Sequence, residues 1–272
     1  MELTFFTLML FVLLGAGAGF LAGLLGIGGG IILVPLFLYT FPLAGFPAQI
    51  VVHAAFATSL AVIIPTAVSS TLGHRKRGNV DWHQVFFLGV GGMIGAVMGS
   101  TLAVGIGGDQ LKILFGLMQI AVALKMISSP EQLPEVERRE HALWKFVLVG
   151  MAGGCFSAFF GVGGGIVAVP LMVIALRLPI HLAVGNSSAL IVLSAISGVL
   201  AYIWHGWDVA MPAYSLGFVS QPVALIVAPF SILFARLGVR VAGRSAHARL
   251  IKVFSGLLII IGLQMIFGRY FQ

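Results

Sequence analysis

Two five-residue breaks, Gly26-Ile27-Gly28-Gly29-Gly30 and Gly161-Val162-Gly163-Gly164-Gly165, interrupt otherwise apolar sequence. Glycine is the poorest helix former after proline and leaves its backbone uncovered, so each break is predicted to unwind a helix. Unwound backbone in an apolar medium is tolerated only where protein or a water-filled cavity satisfies its polar groups. The short helix that resumes at Ile31 or Ile166 would turn free N–H groups and a partial positive charge toward that cavity. Such an end binds an anion without needing a basic side chain. Small residues also serve plain helix packing. Two matched breaks, each followed five residues later by a proline (Pro35, Pro170), point instead to a site.

Other polar residues are candidates for the same chemistry. Thr58-Ser59 and Asn186-Ser187-Ser188 lie early in two apolar runs and could offer neutral hydrogen bonds to an oxyanion. The competing role is bonding to their own or a neighbouring helix. Gln221-Pro222 is a polar, helix-breaking pair read as lying within a span and flanking the cavity. The predicted substrate-binding set is thus Gly26, Gly28, Gly29, Gly30, Thr58, Ser59, Gly161, Gly163, Gly164, Gly165, Asn186, Ser187 and Gln221. His53 and His181 precede the two hydroxyl clusters; they are read as solvated or capping residues, with a gating or proton-linked role as the alternative. No Asp or Glu occupies the middle of a span, which leaves no carboxylate relay. No phosphate-binding loop, metal-ligand cluster or nucleophile–base set is present. Neither catalysis, nor ATP-driven transport, nor a metal or cofactor is expected.

The elements that must hold these residues are apolar helices. The chain is 60% hydrophobic and 8% charged, with a mean hydropathy of +1.11. Soluble domains are about a quarter charged, so most of this surface is expected to face a lipid bilayer. The net charge of +7 lies in short loops between apolar runs, which fits a positive-inside bias better than nucleic-acid binding. The groups Arg75-Lys76-Arg77 and Arg236–Arg249 are read as orientation signals that contact anionic lipid. Cys155, the lone cysteine, excludes an intramolecular disulfide and is read as a small packing residue. Residues 3–14 and Ala16-Gly17-Ala18 resemble a signal peptide, but no Lys or Arg precedes them and the following segment recurs later. That segment is expected to belong to the fold.

The recurrence spans the chain. Gly19 to Leu36 (GFLAGLLGIGGGIILVPL) matches Gly154 to Leu171 (GCFSAFFGVGGGIVAVPL) at an offset of 135 residues. His53–Ser59 faces His181–Ser187 at an offset of 128, and Lys112 and Gly116 face Lys252 and Gly256 at 140. A unit of about 130 residues is a duplicated half and not a short-repeat array. The halves are placed at residues 1–128 and 142–272, with 129–141 as a polar linker.

Apolar stretches fall at 3–25, 31–46, 50–72, 82–106, 110–128, 142–161, 166–180, 182–204, 210–235 and 250–268. The two that follow the breaks reach only about 22–24 Å, short of the ~30 Å hydrocarbon core. If each continues the preceding helix, the chain crosses eight times and basic residues divide 8 against 7 between the sides. If each turns back, as a fifth pass or a re-entrant hairpin, they divide 13 against 2, with only Lys112 and Arg269 on the minor side. The positive-inside bias selects the second arrangement. It makes the halves inverted, the basic loops cytoplasmic and both termini external. Trp82, Trp144, Trp204, Trp207, Tyr202, Tyr214 and Tyr270 lie near segment ends, where amphipathic rings favour the headgroup zone.

The doubled motif G-x-x-x-G-x-x-G-[IV]-G-G-G-x-x-x-x-P-L, followed by a Thr-Ser-type cluster, resembles the sulfite exporter TauE/SafE family over almost the whole chain. That resemblance implies an inner-membrane permease for sulfite, sulfonates or other small organic anions, and an exporter more often than an importer. Asn186 in place of a second threonine is a departure from the pattern between the halves. Three functions follow as expectations: an alternating-access carrier, an anion channel on the same helix ends, and a non-transporting membrane scaffold. A small anion and the bilayer are the expected partners; a homodimer is left open.

Overall fold

The computed structural model describes residues 5–25, 29–128, 142–242 and 247–267. The first half contains α1 (Phe5–Leu25), α2 (Gly30–Leu43), α3 (Val51–Lys76), α4 (Trp82–Val104) and α5 (Gly108–Ser128). The second repeats the order with α6 (Leu143–Phe160), α7 (Gly165–Ile174), α8 (Ile180–His205), α9 (Gln221–Ala242) and α10 (His247–Phe267). Among the described residues, α3, α4, α5, α6 and α8 are long and apolar enough to cross a bilayer. The chain is an all-α polytopic membrane protein. The short helices after the breaks have 14 and 10 residues, about 21 and about 15 Å of helix. The linker predicted at 129–141 lies outside the described residues.

Local chemistry sets the boundaries. Asp81 caps α4, its carboxylate accepting the N–H groups of His83 and Gln84 at 3.0 and 3.2 Å. At the end of α6 Gly161 turns left-handed (φ +68°), which folds the N–H of Gly161 and of Val162 onto the Ser157 carbonyl. His74, Arg75 and Lys76 form the last turn of α3, against the negative end of its dipole.

One predicted span is corrected. Residues 210–235 read as one apolar run, yet β1 (Ser215–Leu216) and β2 (Val219–Ser220) first pair antiparallel. Tyr214 and Gly217 take positive φ values of 63° and 51°, which no continuous helix contains. Helix α9 therefore starts at Gln221, and Pro222 occupies its first turn, where the missing N–H is harmless. The pair predicted to break a span instead opens a helix.

Each half packs through the other. Helix α4 runs beside α6, and α1 beside α9. A Cβ added at Gly91, Gly95 or Gly99 would fall onto the carbonyls of Val147, Met151 and Cys155. Gly15 and Gly19 meet Val227 and Ser231 in the same way. Both pairs run parallel, because the contact positions advance together. The corresponding helices α3 and α8 run antiparallel: Leu60 meets Gly198, while the Ser70 and Ser188 hydroxyls lie 3.1 Å apart. So do α5 and α10, where Gly116 meets Ile266 and Ile120 meets Gly262. Corresponding helices that oppose one another make the halves inverted. Four crossings per half would have made α3 and α8 parallel, so the chain reverses at each break. In the second half the reversal is visible directly, since Ala168 of α7 returns to pack on Gly153 of α6.

Candidate functional site

The two breaks touch. Gly30 rests on Val162 and the Gly161 carbonyl, with no room for a Cβ. Ile63 of α3 reaches both Gly30 and Gly163, and Ile191 of α8 reaches Gly163 and Gly165. These isoleucines occupy corresponding positions, 128 residues apart. Gly161, Gly163 and Gly164 have φ values of +68°, +88° and +67°, a region that strains any side chain. Gly29 has φ −69°, so the breaks are not conformational copies. Gly26 and Gly28 lie outside the described residues.

The unwound backbone finds partners in the opposite half and in α5. Ser59 donates to the Gly161 carbonyl at 2.8 Å. Gln119 of α5, fully buried, donates to the Ile31 carbonyl at 3.1 Å. That carbonyl needs an outside donor because Pro35, four residues on, has no N–H to give it. At the start of α7, Ala168 bonds back to Gly164 at 2.9 Å, while the Ile166 N–H has no backbone partner among the described residues. The side chains of Ser157 and Ser187 flank this end. A Cβ at Gly164 would lie 2.9 Å from Ser157 Cβ, and one at Gly165 would lie 3.5 Å from Ser187 Oγ. Both hydroxyls are buried without a partner. No Lys, Arg, Asp or Glu is buried among the described residues.

A family profile for the sulfite exporter TauE/SafE matches residues 11–265, which include both breaks and all ten helices wholly or in large part. The chain belongs to the TauE/SafE family. It is 32% identical over 268 residues to a "probable membrane transporter protein" of Methanocaldococcus jannaschii, covering 98% of each chain. It is 31% identical over 259 residues to one of Haemophilus influenzae, covering 95% and 97%. A more distant relative in Bacillus subtilis, YunE, is 25% identical over 283 residues and carries the same description. No solved structure matches the chain at a significant level. This TauE/SafE chain is a multi-pass membrane transporter.

Not every predicted residue reaches the breaks of the transporter. Thr58 Oγ1 accepts the Ser220 N–H at 3.1 Å, immediately before α9. Its counterpart Asn186 accepts the Asp81 N–H at 2.9 Å, immediately before α4, and donates to Gln84 Oε1 at 2.8 Å. Each therefore holds the start of the fourth helix of the other half, and both polar side-chain atoms of Asn186 are engaged there. Ser188 bonds back to the Val184 carbonyl at 3.0 Å, the local role. Gln221 is exposed at the start of α9. The histidines part ways: His181 is exposed, whereas His53 is buried with Nε2 3.2 Å from the Ala103 carbonyl and its ring 5.3 Å from Phe218. Tyr202, expected at the headgroups, is fully buried and donates to the Ala158 carbonyl at 2.9 Å. Trp82, Trp144, Trp204, Trp207 and Tyr214 are exposed, as interfacial rings should be, and Tyr270 lies outside the described residues.

Sequence reasoning missed Ser157, Gln119 and Ser220. Ser157 falls inside the repeated motif opposite Ala22, so its hydroxyl was a visible asymmetry. Gln119 and Ser220 carried no signal beyond being polar in or beside an apolar run.

Proposed function

We propose that this transporter carries a small anion by alternating access around the two glycine breaks. The observation that supports it is the meeting of Gly30, at the start of α2, with Gly161–Val162 of the other break: the two breaks of inverted halves meet at one buried point, with no acidic side chain buried among the described residues. Discontinuous helices at corresponding positions are the usual construction of a transporter site. Sulfite or an organosulfonate is the favoured cargo on the strength of the family name. Ile63 and Ile191 fill the space beside the breaks, which disfavours the competing reading of a permanently open anion channel. The membrane is a cell inner membrane, with the Arg75–Arg77 loop cytoplasmic and both termini external.

The test has two stages. Purified protein is heated with sulfite, sulfate, thiosulfate, taurine, sulfoacetate and small carboxylates, where an anion at 100 times its Kd stabilises by about 2.7 kcal/mol. Proteoliposomes then report whether flux of the stabilising anion saturates and exchanges across the membrane. Stabilisation by a cation or neutral solute alone would sink the reading, and ion conductance above carrier turnover would replace the carrier with a channel.

A further inference from the structure

The pseudo-symmetric halves are unequal at one place. Ser59 and Ser187 correspond, yet Ser59 is spent on the Gly161 carbonyl and Ser187 is unpartnered. Ser157 corresponds to Ala22, so the first half has no such hydroxyl at all. Several helical hydroxyls in this chain bond back to a carbonyl three or four residues earlier, as Thr40, Thr71, Ser100 and Ser188 do at 2.8–3.0 Å. Ser157 and Ser187 decline that bond, at 0% and 2% exposure. Both stand against Gly164 and Gly165, at the start of a ten-residue helix. A buried hydroxyl left unbonded is destabilising unless something else bonds it.

We propose that the anionic group of the cargo seats on the N-terminus of α7, bonded by the hydroxyls of Ser157 and Ser187, and that this seat takes a singly charged anion in preference to a doubly charged one. The proposal rests on the anion-carrier reading and adds both the half that binds and the charge it accepts. Each helix N-terminus is equivalent to about half an elementary charge. The start of α7 therefore supplies about half a positive charge to the seat. With no Lys or Arg buried among the described residues, a second negative charge has no counterpart. Its desolvation is expensive in an apolar interior and grows with the square of the charge.

Methanesulfonate and sulfate make the decisive pair of probes, because a methyl group replaces one charged oxygen with little change of shape. Binding to the full-length protein in detergent is measured at low ionic strength by calorimetry. Methanesulfonate is expected to bind at least tenfold more tightly than sulfate. Ser157→Ala and Ser187→Ala are each expected to weaken methanesulfonate about tenfold, the worth of one hydrogen bond to a charged group. Without ligand their melting temperatures should match or exceed that of the parent protein, since each change removes an unbonded buried hydroxyl. Ser255→Ala, which deletes an equally unpartnered hydroxyl on α10, should leave affinity unchanged. Binding of methanesulfonate unaffected by both site substitutions would overturn the seat while leaving the anion-carrier reading intact. Sulfate binding as tightly as methanesulfonate would overturn the charge preference. Failure of every anion to bind the parent protein would overturn this proposal together with the reading beneath it.

Discussion

Gly164 carries two demands at once: φ is +67°, and a side chain would drive into the Gly153 carbonyl. Gly78 has a similar φ of +70° but open space around it. The comparison separates strain from crowding. Gly78→Ala should cost about 1–2 kcal/mol, the left-handed penalty for an L-residue, and should leave a folded transporter. Gly164→Ala adds a backbone collision that α6 and α7 cannot relieve without parting, so it should abolish a cooperative melting transition at the parent temperature. If the two variants melt alike, the break is looser than described. The isoleucines make a second case. Ile63→Ala and Ile191→Ala each remove a buried or partly buried side chain resting on the breaks, and a large-to-small change of this kind typically costs 2–5 kcal/mol. A cavity opened beside the unwound backbone should also raise passive leak of small anions from proteoliposomes. Leak unchanged in the folded double variant would show that these side chains do not close the centre.

At the scale of elements, the link between α2 and α5 can be isolated. Pro35 deprives the Ile31 carbonyl of its helical donor, and Gln119 supplies one from α5. Gln119→Leu should cost about 1–3 kcal/mol, the penalty of an unmet buried group. In a Pro35→Ala background the helix regains its own N–H, and the same substitution should cost less. A double-mutant cycle on melting free energy reads the difference, and strict additivity would remove the proposed coupling. The ten helices were legible because hydropathy reports length, and their reversal at the breaks was legible because fifteen basic residues report sidedness. What stayed hidden was partnership. The glycines of α4 read as a packing stripe, yet nothing in their spacing says that the partner is α6 of the other half. Alignment set Thr58 opposite Asn186, but correspondence gives no direction, and both residues bond to the starts of helices in the other half. The hairpin before α9 was masked by residues as apolar as the helix they precede.

The whole molecule places those two contacts on opposite faces. Helix α8 begins where the antiparallel α3 ends, so Asn186, Asp81 and Gln84 lie at the face of the Arg75–Arg77 turn. Thr58 and Ser220, with His53 against Phe218, lie toward the other face. Each contact ties one half to the other near one mouth, and the buried breaks lie between them. A carrier that opens one face at a time must loosen one tie while keeping the other. Asn186→Ala removes two hydrogen bonds, about 1–3 kcal/mol, and should shift the population toward opening on the Arg75 face. Thr58→Val removes one and should shift it the opposite way. The readout is labelling of Ile191→Cys by an impermeant maleimide in oriented vesicles, with Cys155→Ser as background. Cysteines placed at Arg75 and Arg177 should label from one side and at Lys112 from the other, which fixes the orientation of the vesicles independently. Because a ligand-free two-state protein responds to any free-energy bias of this size by a several-fold change in population, the two variants should move labelling in opposite senses. Movement in the same sense would mean that the ties only stabilise the fold, and the inverted halves would then need a different gate.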